Sequence, residues 1–445
     1  MSVAMNQQQI RSQLESHELE LQSSSYTASH QTNFPQSVSP TQASAKAWLR
    51  VLGCFIVFIN TWGLASSFGV YQAFYQSDLL PSYSPSEISW IGTVQVFLLG
   101  FAGIFAGPLY DRGYVQSLLG VGFALVVLGL FMLSLSTKYY QILLSQGVCI
   151  GIGNGLTYVP AVSIVSNSFT AKRPVATGLA ASGSAVGSTL LPILFRQLLP
   201  IIGFPWVNRI FAFFIFGISL LALVVLKPTT SSPSHTTDAS TQQQHPLFDI
   251  RVLKEPAYLL LCAGLFFVEL GYWIPPFSLP PYAQFSLQTS ATFASHLLTI
   301  MNAGGLLGRI LPSLLAQILG PAWVLVAGCL SLGILILSWL GIHDIHGITV
   351  WSVLVGFMSG IAVSLPNAVV PRLGGTREVV GMRTGLMWFF VAFAALVGAP
   401  IAGLLIDTKK NDYRHGEIFS GVSICLGAML LCGPAAYVTK HGKHV

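Results

Sequence analysis

Twelve long apolar runs, six on each side of a polar stretch, leave this chain one solvent that suits most of its residues. Hydrophobic residues fill 53% of the 445 positions and charged residues only 8%, against roughly 25% in a soluble globular chain. A hydrocarbon core about 30 Å thick needs about 20 apolar residues per helix, and the chain supplies that length repeatedly. The runs predict helices over 48–75, 87–108, 115–136, 140–166, 175–195 and 207–226, then 256–280, 293–314, 321–341, 347–366, 382–406 and 416–438. The fold class this implies is an all-α membrane protein, with twelve transmembrane helices in two six-helix pseudo-symmetric halves. The expected organisation is a disordered tail over 1–45, a first bundle over 46–227, a polar linker over 228–255, a second bundle over 256–438 and a short tail over 439–445.

The charges serve topology. The net charge is +6, but Lys and Arg form no stripe of the kind that binds nucleic acid. They sit at the ends of apolar runs. With the N-terminus in the cytoplasm, fourteen fall inside and six outside, leaving aside Arg11 in the tail. The tail is rich in Gln, Ser and Thr and has no early apolar core of a signal peptide. Both termini and the linker are therefore expected in the cytoplasm, with the plasma membrane as first choice and the vacuole or another endomembrane as alternatives.

Enzyme chemistry finds no footing. The six cysteines (Cys54, Cys149, Cys262, Cys329, Cys425 and Cys432) lie inside apolar runs without a C-x-x-C pair and read as small hydrophobes. His343 and His346 fall in a short loop without further ligands. The GIGNG of residues 151–155 lies within an apolar span, where a phosphate loop does not belong. No cofactor or metal is expected. The partners expected are a small-molecule substrate, the lipid bilayer and a coupled proton, and no nucleic acid.

The loop after the second run reads Gly107-Pro-Leu-Tyr-Asp111-Arg112-Gly113. Gly107 permits close helix approach, and Asp111 suits a neighbouring helix end or a cation across the bundle. The stretch resembles the signature loop of the major facilitator superfamily, G-x-L-x-D-R-x-G, with Gly113 one place early. The fourth run continues through Phe169 into TAKRPVATGLAASGSAVGS, with Lys172, Arg173, Gly178, Gly183 and Gly187. Together with TWGLASSFGVYQAFY in the first run, it is similar to the monocarboxylate-porter branch, the fungal members above all. The resemblance spans about 46–438. It implies a secondary transporter working by alternating access, with Gly107, Asp111, Arg112, Lys172 and Arg173 in its gating loops.

Several positions depart from that branch. Its helix-one acid and glycines map to Gln42, Ala43 and Ser44, and its helix-one Lys maps to Val70. Its helix-eight Arg matches Arg309, but the acid four residues earlier is Gly305. The repeat of the signature loop, Gly308-Arg309-Ile-Leu-Pro312-Ser-Leu-Leu-Ala316-Gln317, lacks an acid near Ala316. A weaker or different second gate contact is expected, and familiar lactate–proton symport is not.

Ionisable residues inside a span are costly and mark function by default. Glu269 and Arg309 qualify, and Asn60, Gln72, Gln95, Asn154, Tyr158, Tyr272 and Asn302 are the neutral polar candidates for a substrate cavity. At 1.5 Å per residue the predicted helix ends put Glu269 and Arg309 about 14 Å apart along the membrane normal, too far for a salt bridge. Arg309 reads either as an anchor for an anionic substrate or as an end-of-helix anchor. Glu269 reads as a proton site or as a hydrogen-bonded acid without a transport role. Pro275-Pro276 and Pro280-Pro281 should bend the seventh helix or end it early. The function expected is movement of a small organic metabolite, a carboxylate or secondary metabolite, across a membrane. A non-transporting nutrient sensor on the same fold is the alternative, disfavoured by the short tail after 438.

Overall fold

Lipid offers no hydrogen bonds to a peptide group, so each apolar run must satisfy its own backbone, and each does so as a helix. The computed structural model describes residues 40–227, 250–374, 379–406 and 412–441. Residues 1–39, most of the expected linker and the last four residues lie outside the described residues.

In chain order the spans are α1 Ala45–Leu79, α2 Pro85–Asp111, α3 Val115–Leu135 and α4 Tyr139–Ser168. A 53-residue run, Arg173–Val225, follows. It is interrupted at Gly203, whose φ of 74° no helix contains, and so divides into α5 before that residue and α6 after it. Beyond the linker come α7 Pro256–Ser286, α8 Ala291–Leu319, α9 Pro321–Gly341, α10 Ile345–Arg372, α11 Val380–Leu405 and α12 Arg414–His441. Eleven runs, one of them divided at Gly203, thus supply twelve rods among the described residues.

Three expectations change. The connection expected between 195 and 207 is helical apart from the Gly203 kink. The paired prolines do not end α7. It pauses at Trp273, then continues over Ile274–Pro281 and a π-helical turn at Tyr282–Ser286. Pro275 and Pro276 sit in the first turn of the new segment, where the missing N–H costs nothing. Finally, α8 runs to Leu319 rather than 314 and stops at Gly320, whose φ of 89° suits a glycine after a helix end. Arg309 therefore has about 15 Å of helix beyond it and sits deeper than expected.

The buried apolar residues form three clusters, and their membership describes the packing. One occupies the end of the bundle that carries the linker. It joins α1 (Cys54, Phe58), α4 (Val162, Val165) and α5 (Ala176, Ala180) to α7 (Tyr258, Leu261), α10 (Leu365, Val369) and α11 (Met387, Trp388). At the opposite end there are two clusters. The buried members of one come from helices before the linker, including Tyr71, Tyr75, Leu130 and Phe211, with Phe277 of α7 packed against its edge. The other draws only on helices after it, including Leu279, Trp339, Trp351 and Ile424. The two sets of helices share a core on the linker side, while on the far side their buried cores are distinct apart from the Phe277 contact.

Large apolar side chains such as Val121, Phe213, Ile334 and Met429 point away from every cluster and are exposed. A water-facing surface of this kind would aggregate, and lipid is the solvent it fits.

Candidate functional site

Two helix pairs join the sets on the linker side. Gly100, Gly103 and Gly107 of α2 face Ala392, Gly385 and Gly381 of α11 so closely that a Cβ at Gly107 would overlap the Gly381 carbonyl. Small residues permit this approach, and dispersion and polar contacts hold it where lipid supplies no hydrophobic drive. Asp111 ends α2 at this contact. Its Oδ1 accepts the Gly381 N–H at 2.9 Å and its Oδ2 the Met382 N–H at 2.7 Å. These are donors of the first turn of α11, which has no intrahelical acceptor for them, so a carboxylate is placed on the positive end of a helix. Arg112 is exposed and without a polar partner among the described residues.

The second pair is α5 with α8. No acid stands here. Gly178 lies against the Arg309 carbonyl and Ser313 hydroxyl, where a Cβ would overlap both. Ser313 Oγ returns a hydrogen bond to that carbonyl, and Asn302 Nδ2 reaches the Ser188 carbonyl at 3.3 Å. The repeat of the latch is therefore steric. Gly183 and Gly187 pack α5 against Phe55 and Gly63 of α1. In the α4–α5 loop, Lys172 is exposed, while Arg173 turns back to the Ser166 and Phe169 carbonyls at 2.8 and 3.0 Å and closes the end of α4.

Above this closed end, aromatic side chains from four helices converge. Trp62 stands in a π-helical turn of α1, Ile59–Gly63, a local widening often found at functional sites. Its ring lies 5.9 Å from Tyr158 of α4, 5.4 Å from Trp388 of α11 and 6.5 Å from Trp273 of α7. Asn367 of α10 fixes the floor. It donates to the Tyr158 hydroxyl at 3.3 Å, accepts the Trp388 indole N–H at 3.1 Å, and its carbonyl takes the Ser166 hydroxyl. Helices on both sides of the linker are thus tied through one amide.

The ionisable residues adjoin this cluster. Trp273 donates its indole N–H to Glu269 Oε1 at 2.8 Å. Its neighbour Tyr272, ring centroid 5.6 Å away, lies within electrostatic reach of both Glu269 and Arg309, with Ser359 at its hydroxyl. Both charges act on Tyr272, and α8 continues past Arg309 to Leu319. As expected, they form no salt bridge with each other among the described residues. Arg309 is 6% exposed, its Nε has no acceptor, and no carboxylate pairs with it among the described residues. Its guanidinium folds back over Gly305, where a Cβ would meet Nη1 at 2.6 Å. The position that the monocarboxylate porters fill with an acid is left as space for the cation.

The remaining candidates divide. Asn154 and Gln95 are fully buried with every side-chain polar atom unpartnered, which in a low-dielectric interior is costly unless a ligand or water supplies the bonds. Asn60 turns to Ser219 of α6 at 2.9 Å and ties α1 within its own set. Gln72 is half-buried near the far end of α1. Sequence reasoning missed Trp62, Trp273, Trp388 and Asn367. A signal was present: Trp62 and Trp273 stand sixteen residues after 46 and seventeen after 256, equivalent depths in the first helix of each expected bundle.

The profile described as Major Facilitator Superfamily matches residues 51–399. The chain belongs to the major facilitator superfamily. It is 33% identical to the MFS-type transporter dbaD of Emericella nidulans over 387 residues, 87% of this chain and 85% of that one. It is 32% identical to the aspyridones efflux protein apdF of the same organism over 405 residues, covering 91% and 80%. With the fujikurins efflux protein of Gibberella fujikuroi it shares 32% over 403 residues, covering 90% and 85%. The crystal structure of the Escherichia coli fucose:proton symporter superposes with a TM-score of 0.64 at 16% identity, over 88% of this chain and 98% of that chain. That likeness shows the shared superfamily fold. This superfamily member is an integral multi-pass membrane protein and a secondary transporter.

Proposed function

We propose that the chain exports a small acidic secondary metabolite across the fungal plasma membrane in exchange for protons, with both termini and the linker in the cytoplasm. The two six-helix halves, 46–227 and 256–438, rock about the aromatic centre, as in the monocarboxylate-porter branch. The shared core on the linker side and the divided core on the far side support a state closed to the cytoplasm and open outward. The observation that carries the acid reading is Arg309. A buried guanidinium without a protein anion is expensive, and a substrate carboxylate or enolate met by its planar fork removes that cost. Glu269, hydrogen-bonded by Trp273 beside Tyr272, is the group assigned to the proton. Asp111 latches the cytoplasmic side through α11, and Asn154, Tyr158 and Asn302 complete the polar lining. The efflux relatives support export and a secondary metabolite as cargo.

The test is flux in proteoliposomes with radiolabelled organic acids and their uncharged methyl esters. The expected result is that wild-type protein moves acids, Arg309→Lys retains a fraction and Arg309→Ala loses about 10–100-fold, the worth of one charge-assisted hydrogen bond. Esters carried as fast as acids, or an Arg309→Ala protein with wild-type acid flux, would sink the acid reading. Binding without flux across the panel would point to a sensor.

A further inference from the structure

An acid anchor alone does not explain why three tryptophans and two tyrosines crowd the centre. Trp62 and Trp273 are nearly parallel, 20° apart, on helices from opposite sides of the linker. Two other parallel pairs in the protein, Phe74 with Phe204 and Tyr83 with Tyr139, are at 16° and have centroids 5.0 Å apart. The indole pair stands wider, at 6.5 Å. A flat ring with carbon contacts of about 3.5 Å on each face needs roughly 7 Å between its neighbours. The centroid separation is an upper limit on the face-to-face gap, so the pair must part to admit one conjugated ring. Because its members ride on different halves, a small rocking motion sets the gap. One end of this pair is tied to the charge site. Trp273 hydrogen-bonds Glu269 and adjoins Tyr272, and Tyr272 is within electrostatic reach of Arg309, whose Nε has no acceptor among the described residues. The other end is backed by Tyr158 and Trp388, which Asn367 holds in place.

We propose that the transporter selects planar conjugated acids, the ring lying between Trp62 and Trp273 and the acid group reaching Arg309. This rests on the acid reading above and narrows it from organic acids in general to flat aromatic or polyene acids. Stacking between ring faces provides the discrimination, since a saturated body of the same size buries as much apolar surface but has no π face. The gap also makes the ring a wedge between the halves, so the substrates bound most tightly are those that hold the pair apart.

The experiment is calorimetric titration of the full-length protein in lipid nanodiscs, with empty nanodiscs as blank. The probes are 2-naphthoate, its saturated counterpart decahydro-2-naphthoate, and the uncharged 2-naphthalenemethanol. Wild-type protein is expected to bind 2-naphthoate about tenfold more tightly than the decahydro acid. That ratio should fall to about one in Trp62→Leu and Trp273→Leu and keep an intermediate value in Trp62→Phe. Because it is taken within one protein sample, loss of folded material does not alter it. Equal affinities in the wild type, or a ratio unmoved by both leucine variants, would overturn the aromatic clamp and leave the acid reading standing. Binding of the alcohol as tight as that of the acid, with the aromatic preference intact in Arg309→Ala, supports the clamp and removes the acid reading. Absence of saturable binding by any of the three probes overturns both.

Discussion

Asp111 Oδ2 accepts the backbone N–H of Met382 at 2.7 Å across 271 residues of chain. A carboxylate at the end of α2 thereby closes the start of α11, and its Oδ1 does the same for Gly381. Such charge-assisted bonds contribute about 1.5–3 kcal/mol each where water is excluded. Asp111→Ala should therefore shift the protein toward opening on the linker side by tenfold or more. Cys54 reports this. It is 1% exposed and sits on that side near Phe58, Val162 and Asn367. Maleimide labelling of Cys54 in membranes should accelerate about tenfold in the variant, and an unchanged rate would show that Asp111 is no latch.

The α5–α8 contact has no charge to lose, so its weakness is steric. Gly178→Ala places a methyl group onto the Arg309 carbonyl and Ser313, and the backbone half of that clash cannot turn aside. Overpacking of this kind costs about 1–3 kcal/mol. The same Cys54 labelling should accelerate, and transport should fall severalfold. Normal flux in Gly178→Ala would mean that α5 and α8 need not approach this closely in the working cycle.

Arg309 should trade stability for function. Replacing a buried ion pair or triad with apolar side chains of similar volume is often neutral or stabilising, by about 1–4 kcal/mol, and a buried charge without a partner has less attraction to lose. Arg309→Met should therefore raise the Tm of the detergent-solubilised protein by a few degrees while abolishing transport of acids. A lowered Tm would assign Arg309 to the scaffold.

Glu255 and Arg383 invert that logic. Arg383 is 6% exposed and its Nη atoms meet the two Glu255 carboxylate oxygens at 3.0 and 2.6 Å. Its ring partner is Tyr258, whose hydroxyl bonds the Arg383 carbonyl. Glu255→Ala leaves the cation buried and unpaired, at a cost of about 1–3 kcal/mol given the solvent access of the acid. Glu255→Ala with Arg383→Met should recover most of the loss. Thermal unfolding of the single and double variants checks this, and strict additivity would deny the coupling.

Glu269→Gln tests proton coupling. The amide oxygen still accepts the Trp273 indole N–H, so the packing survives while the titrating group is gone. Uptake driven by an imposed pH gradient should be lost, and substrate exchange at equal pH should persist. A gradient response equal to that of the wild type would move the proton site elsewhere.

Much of the fold was legible because its signals are local. Length and hydropathy mark each span, and Gly107 with Asp111 marks the end of α2. The kinked joint at Gly203 and the continuation of α7 past four prolines were not legible. Both depend on whether a particular N–H has an acceptor, which composition does not report. Arg309 stood out as a charge in a span, but its depth depended on where α8 stops, five residues beyond the expected end. Trp62, Trp273 and Trp388 look like ordinary apolar residues until the helices are assembled.

The sequence by itself determined the solvent, the helices and the superfamily, because a lipid-facing segment must be apolar and internally hydrogen-bonded along its whole length. Only the tertiary structure decided that Asp111 meets α11, that Gly178 takes the equivalent place opposite α8, and that Arg309 lies near Tyr272 without an anion. The first two contacts join residues more than a hundred positions apart, and in lipid no hydrophobic force brings them together. Close packing of small residues and a few satisfied polar atoms do so, and such complementarity exists only between assembled surfaces.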